Sequence, residues 1–341
     1  MLGLSGPELT AAEEALVREL RPVGFMLGFH NLVSLEQTRR LTDALRELSP
    51  RQPLVAIADA GGRATPTRGI APPGPGAAAL AAHADAKTTG TAGMLTGELL
   101  RLLGVNFNFA PQLDLAHHRA GEQRQSEGAW GRDPQRVIDH AGQWNRWLRK
   151  RGIVTCGGTF PAGGRAIAEP HHELPTVAAT LEELLCDDLL PYTALLPELD
   201  AIRVGQVMVP HLDADWPAAL SPRVIRRLLR DQLGFDHGLV VADAFDQGPL
   251  VDRYGRAALA RMALEAGNDV LRVGTDPDRV REVAAALTTV PFVVLAEAWE
   301  RVERLRDKLH WPMPWSAAKV AETCAKLAAL TTQVSASVND G

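Results

Sequence analysis

Short apolar runs alternate with longer amphipathic stretches from one end of this chain to the other, and that alternation limits the folds open to it. The runs at 23–29, 54–58, 106–110, 153–159, 201–209, 239–242, 269–273 and 292–295 read as strands. Helical periodicity fills the gaps, over 35–48, 81–103, 134–150, 180–196, 222–233, 248–266 and 277–287. Strands separated by helices of this length build βαβ units and a parallel sheet. Eight of them favour a closed (β/α)8 TIM barrel over an open doubly wound sheet. Two more helical patterns, 299–310 and 316–334, flank Trp311-Pro312-Met313-Pro314-Trp315. They are expected to close the barrel and to add a helix outside it. The expectation is thus an α/β fold: one barrel over residues 1–310, then a C-terminal helix within 311–341 packed against it.

Size and charge agree with a single large domain. The 341 residues are 46% hydrophobic, and no stretch reads as an interdomain linker. A net charge of −5 provides no basic surface for nucleic acid. No run of about 18 apolar residues exists, so no membrane span is expected. No basic segment followed by an apolar one opens the chain, so no signal peptide is expected and a cytoplasmic location is. Cys156, Cys186 and Cys324 lie far apart without metal-ligand spacing, which suits a reduced compartment. The pairs His117-His118 and His171-His172 are adjacent in sequence. Neighbours on a strand point apart, so neither pair makes a metal site by itself. No phosphate-binding glycine loop or nucleophile elbow is present. No cofactor and no metal are expected, and the oligomeric state is left open.

One residue carries the chemistry of this reading. Asp243 follows the apolar run Leu239-Val240-Val241-Ala242, the sixth expected strand. In a (β/α)8 barrel the C-terminal strand ends carry the catalytic groups. The other reading of an Asp at that spot is a helix N-cap. An open pocket around the carboxylate would favour the first, and capping or pairing with a neighbour the second.

The order of landmarks resembles the glycoside hydrolase family 3 β-N-acetylglucosaminidases, the bacterial cytoplasmic type. Gly24–Phe29 with His30-Asn31 and Glu36-Gln37 looks like that family's first strand and helix. Gly61-Gly62-Arg63 matches the glycines and arginine after its second strand. Asn108-Phe109-Ala110-Pro111-Gln112-Leu113-Asp114 matches the third, and Gly131-Arg132-Asp133-Pro134 the loop and helix start beyond it. Leu220-Ser221-Pro222 and Leu233-Gly234-Phe235-Asp236 lead into the run before Asp243. The likeness spans about residues 20–275. It implies a retaining β-glycosidase acting on a small carbohydrate, with Asp243 as nucleophile. Spacing from Phe160-Pro161 places the family's acid/base histidine at His171 and the carboxylate that orients it at Glu169. An imidazole suits that work, since its ordinary pKa of about 6.5 lies near operating pH.

Several sugar-gripping positions depart from the family pattern. Its Asp-Gln-Glu-Gly-Gly-Arg becomes Ala58-Asp59-Ala60-Gly61-Gly62-Arg63. Its Lys-His before Phe-Pro becomes Gly158-Thr159, and the arginine of its Arg-Ser-Phe-Gly loop becomes Gly128. Its Gly-His-Gly after Phe-Pro becomes Ala162-Gly163-Gly164. Each lost charge-assisted hydrogen bond is worth roughly 1.5–3 kcal/mol. The substrate-binding set expected here is Asp59, Arg63, Asp114, Trp130 and His211, with Arg124 and Arg272 as further replacements. Asp59 either grips sugar or is a surface loop acid. Asp114 and His211 either touch sugar or hold strand ends. Trp130 stacks on a sugar face or packs under a loop. Arg272 faces the pocket or the helix layer, and His171 is either catalytic or an exposed loop histidine. Two functions follow: a glycosidase of altered specificity, or a degenerate member that binds a glycan or a protein partner.

Overall fold

The computed structural model describes residues 1–63, 65–117, 128–166, 173–243 and 248–339. Eight parallel strands run in sequence order: β1 Leu2–Gly3, β2 Gly24–Met26, β3 Leu54–Ile57, β4 Phe107–Asn108, β5 Val154–Phe160, β6 Ala201–Val204, β7 Leu239–Ala242 and β8 Val270–Leu271. The sheet curls shut where Leu2 bridges Val273 in parallel, with Gly3 donating to Val273 at 2.9 Å and Val273 to Met1 at 2.9 Å. The strands of a barrel are covered on both faces, which is why β3 (LVAI) and β7 (LVVA) are continuous apolar runs, wholly buried.

Alternation along each strand separates two cores. Leu54, Ala56, Phe107, Val154, Cys156, Ala201, Leu239, Val241 and Val270 fill the interior. Val55, Ile57, Ile202, Val204, Val240 and Ala242 face the helices. The helix Phe292–Arg306 sends Val302 and Leu305 into the interior cluster. Its Arg301 reaches Asp269 just before β8, and Arg306 reaches the Val23 carbonyl just before β2. It therefore plugs the N-terminal mouth, and the opposite mouth is left for chemistry.

The expected strand at 292–295 is corrected: it is the first turn of that helix, entered from Pro291, with Phe292 and Val293 on the surface. The eighth strand is instead Leu2–Gly3, followed by the helix Ala11–Leu20 with a Thr10/Glu13 capping box. Asp243 thus follows the seventh strand. Three helices keep their expected limits: Leu35–Leu48, Pro134–Lys150 and Pro277–Leu287. Three expected helices are broken in two. They break after His83, where Ala84 is left-handed, after Cys186, and at Gly255. The helix Ala317–Asn339 lies along the outside, where Thr323 donates to Glu98 at 2.9 Å and Thr331 to the Pro73 carbonyl at 2.9 Å. Among the described residues no single helix is long and apolar enough to cross a membrane; Pro277–Leu287 and Phe292–Arg306 reach that length only together, across a 116° bend.

Candidate active site

Leu239 and Val241 point into the barrel, so the alternation carries Asp243 inward at the C-terminal mouth. Its backbone NH still reaches the Val204 carbonyl, at 3.3 Å, which fixes it to the end of β6. The same period turns Arg203 inward from β6 and Arg272 inward just beyond β8. Arg272 donates through Nη1 to Asp243 Oδ1 at 2.7 Å. The two side chains remain 20% and 26% exposed, so the pair opens to the mouth and is not sealed in the core. Arg272 also lies over the Phe109 ring, 5.1 Å from its centroid. Asp243 therefore shows features of both readings: it sits in the mouth, and it is paired with a neighbour.

Arg203 forms the floor beside this pair. Its Nε donates to the Gly158 carbonyl at 3.1 Å and its Nη2 to Thr159 Oγ1 at 2.6 Å. Burial works against its charge, but the Asp243 carboxylate faces it and the guanidinium pKa is raised on balance. Asp114 completes the floor. Tyr192 donates its hydroxyl to Asp114 Oδ1 at 3.1 Å, and Gln112 Nε2 donates to Oδ2. Burial pushes the Asp114 carboxyl up to about 6, against the pull of the Arg203 charge and the Tyr192 and Thr159 hydroxyls. Cys156 lies beneath, its thiol pushed up to about 12 by burial, so it is no nucleophile near neutral pH.

Gly158 occupies a position with φ +46°, and a Cβ built there would fall 1.9 Å from the Tyr192 hydroxyl. The volume next to this backbone is filled by Tyr192, whose ring packs edge-on against Phe160 at 5.3 Å. Thr159 is likewise enclosed: Cβ atoms added at Gly163 and Gly205 would meet its side chain at 2.5 and 2.6 Å.

The other expected residues fall in distinct places. Asp59 is buried and not on the surface; its carboxylate accepts from Thr67 Oγ1 and from the Gly61 NH at 3.2 Å. Arg63 is exposed, with its carbonyl taking Arg68 Nη1 at 2.8 Å. The Trp130 ring is buried, stacked 6.2 Å from His140, and its Nε1 donates to the Gln112 carbonyl at 3.0 Å. That is packing beneath the loop. His211 is exposed after β6. Glu169, His171 and Arg124 lie outside the described residues. Arg272 faces Asp243 and not the helix layer. Sequence reasoning passed over Arg203 and Tyr192. For Arg203 a signal existed, since a lone cation in the run Ala201-Ile202-Arg203-Val204 sits in phase with an inward face.

A second polar cluster lies nearby. His117 Nε2 is 2.7 Å from Asp188 Oδ1, and Asp187 is within 3.8 Å of the same nitrogen. Arg165 already holds both carboxylates, at 2.6 and 3.1 Å, so the group is an ion-paired network.

A closed parallel barrel with an acid and two arginines at its C-terminal mouth has the architecture of an α/β-barrel enzyme. Comparison with known proteins then names the family. Residues 4–305 match the glycosyl hydrolase family 3 N-terminal domain. A β-hexosaminidase of Methylococcus capsulatus is 33% identical over 291 residues, covering 84% of this chain and 86% of its own. NagZ of Neisseria gonorrhoeae, solved with N-trifluoroacetyl-D-glucosamine, superposes with a TM-score of 0.81 at 25% identity over 97% of each chain. A fungal multi-domain GH3 β-N-acetylglucosaminidase reaches 0.89 at 22% identity, where this chain spans 42% of that protein; this last likeness bears on fold alone. The chain belongs to glycoside hydrolase family 3 and is a β-hexosaminidase-like glycosidase.

Proposed function

We propose that this protein is a retaining β-glycosidase of small carbohydrates, cytoplasmic, whose specificity has moved away from the N-acetylhexosaminides of its relatives. The observation that carries the reading is the Asp243 carboxylate, turned inward and partly exposed at the C-terminal mouth. In the first step an Asp243 oxygen bonds to the anomeric carbon as the bond from that carbon to the aglycone oxygen breaks. His171 gives the departing oxygen its proton, with Glu169 holding the imidazole. Water then attacks the same carbon, returns a proton to His171 and frees Asp243. The sugar-side groups are Asp114, Arg203 and Arg272, in place of the family's lysine, histidine, arginine and aspartate.

A weakly active, glycan-binding member is the second reading, and the Asp243–Arg272 ion pair favours it, because a carboxylate oxygen engaged at 2.7 Å is a poorer nucleophile. An activated 2-deoxy-2-fluoro β-glycoside separates the two. In the enzyme it leaves one sugar covalently on the Asp243 peptide, detected by mass, and Asp243→Asn abolishes the label. Absence of any label across a panel of sugars would decide for the binding protein.

A further inference from the structure

Beneath the mouth the barrel is filled by Leu54, Phe107, Val154, Leu239 and Val241, and a guanidinium placed over such a core costs several kcal/mol unless it is paired. Two stand at the floor of the mouth, Arg203 and Arg272, and neither belongs to the motifs that carry the family resemblance. Their donors are only partly used. Arg203 uses Nε and Nη2 on Gly158 and Thr159, and Arg272 uses Nη1 on Asp243. Among the described residues, Nη1 of Arg203 and Nη2 of Arg272 have no acceptor. A guanidinium fork is shaped to receive a carboxylate with two parallel N–H groups.

Charge balance through turnover points the same way. When Asp243 becomes a glycosyl ester it is neutral, and Arg272 loses the anion that faces it. Among the described residues Arg203 then keeps Asp114 as its facing carboxyl, whose pKa burial raises. With a neutral sugar, two cations would face one carboxylate in a low-dielectric pocket. A carboxylate on the sugar restores the balance at the step where it is lost.

We propose that this pocket takes pyranosides bearing a carboxylate on the ring, with Arg272 and Arg203 as the groups that receive it. The inference rests on the reading of Asp243 as the nucleophile, and the test keeps the two apart. The probes are the 4-nitrophenyl β-glycosides of glucuronic acid, glucose and N-acetylglucosamine, the first two differing only in a carboxylate for a CH₂OH. The glucuronide should exceed the glucoside at least ten-fold in kcat/KM. Arg272→Leu and Arg203→Met should each lower the glucuronide value ten-fold or more, mainly through KM, and Arg272→Lys should recover part of it. Equal use of the two sugars, or preference for the neutral one, would overturn the proposal. If no glycoside is turned over, the nucleophile reading fails alone, and calorimetry on the wild-type protein takes over. Glucuronate binding at least ten-fold tighter than glucose would still support anion recognition; no preference would refute it.

Discussion

The chain builds two aspartate–arginine clusters at opposite ends of the strand pair β7 and β8, and they differ in everything but composition. At the N-terminal end Asp269 is almost wholly buried. It accepts from Arg230 at 2.7 Å, from Arg301 at 3.0 Å and from the Val240 NH at 2.7 Å, while Arg230 also reaches the Gly267 and Phe235 carbonyls. At the C-terminal end, among the described residues, Arg272 donates one hydrogen bond, to Asp243, and the pair stays open to the mouth. The first cluster is sealed from solvent and ties the plug helix to the barrel, although Arg230 Nε has no hydrogen-bond partner among the described residues. The second also leaves Arg272 Nε without a partner among the described residues, but its ion pair opens to the mouth, where a ligand can reach it. The same ions therefore serve cohesion at one end and stand accessible at the other, and the difference between them is burial.

Four measurements would break or sharpen this contrast. The largest effect belongs to Asp243→Asn. It should reduce kcat on whichever β-glycoside proves a substrate by ~10³-fold or more, because it replaces the nucleophilic carboxylate with a neutral amide. Its unfolding free energy should change by only about 1 kcal/mol, as befits a partly solvated pair. Near-normal turnover would remove Asp243 from the chemistry.

Asp269→Asn should do the reverse. It leaves Arg230 and Arg301 facing a neutral group, and breaking a buried pair costs about 3–5 kcal/mol. Urea unfolding should show the loss. A wild-type midpoint would mean that the N-terminal cluster is no more structural than the other.

The third concerns Asp114. Burial holds its pKa in the fold at about 6, above the ordinary 3.8. The folded state therefore holds a proton that the unfolded chain releases, and the relative stabilisation, complete below pH 3.8, is lost as pH rises through 6. Two units correspond to about 3 kcal/mol. Asp114→Asn should flatten the stability profile between pH 4 and 7. An unchanged slope would mean that Asp114 titrates normally. The smallest effect is expected of Phe109→Leu, which withdraws the ring beneath Arg272. A contact of that kind is worth about 0.5–1 kcal/mol, to be read from chemical denaturation, and a loss of several would show that Phe109 supports more than the arginine.

Much of this fold was legible in the sequence wherever a strand or helix signals itself. Leu239–Ala242 is buried on both faces and reads as an apolar run; Pro134–Lys150 and Pro277–Leu287 announce their starts with Asp133, Asp276 and a following proline. Leu2–Gly3 was not legible, because two residues carry no period and their strand character comes from partners at residues 25, 26 and 273. Phe292-Val293-Val294-Leu295 has strand composition but a helical continuation, and the longer pattern wins. At the site, the place of Asp243 followed from strand alternation. The pairing with Arg272 did not, since it depends on register between strands. The burial of Asp59 and Trp130 likewise depends on what the loops fold over, which no local pattern records.

The collision between position 158 and the Tyr192 hydroxyl has a historical meaning. If an ancestor carried the family's lysine at 158, Tyr192 could not have stood where it does now, and with Tyr192 in place no side chain fits at 158 without displacing it. Going back takes two coordinated changes, and the order matters: Tyr192 must shrink before 158 can grow. Each residue limits the other, so a side chain at 158 collides while Tyr192 stands in place, although either substitution looks modest alone. Restoring the ancestral grip one residue at a time should therefore fail in this protein, while changing 158 and 192 together has a path.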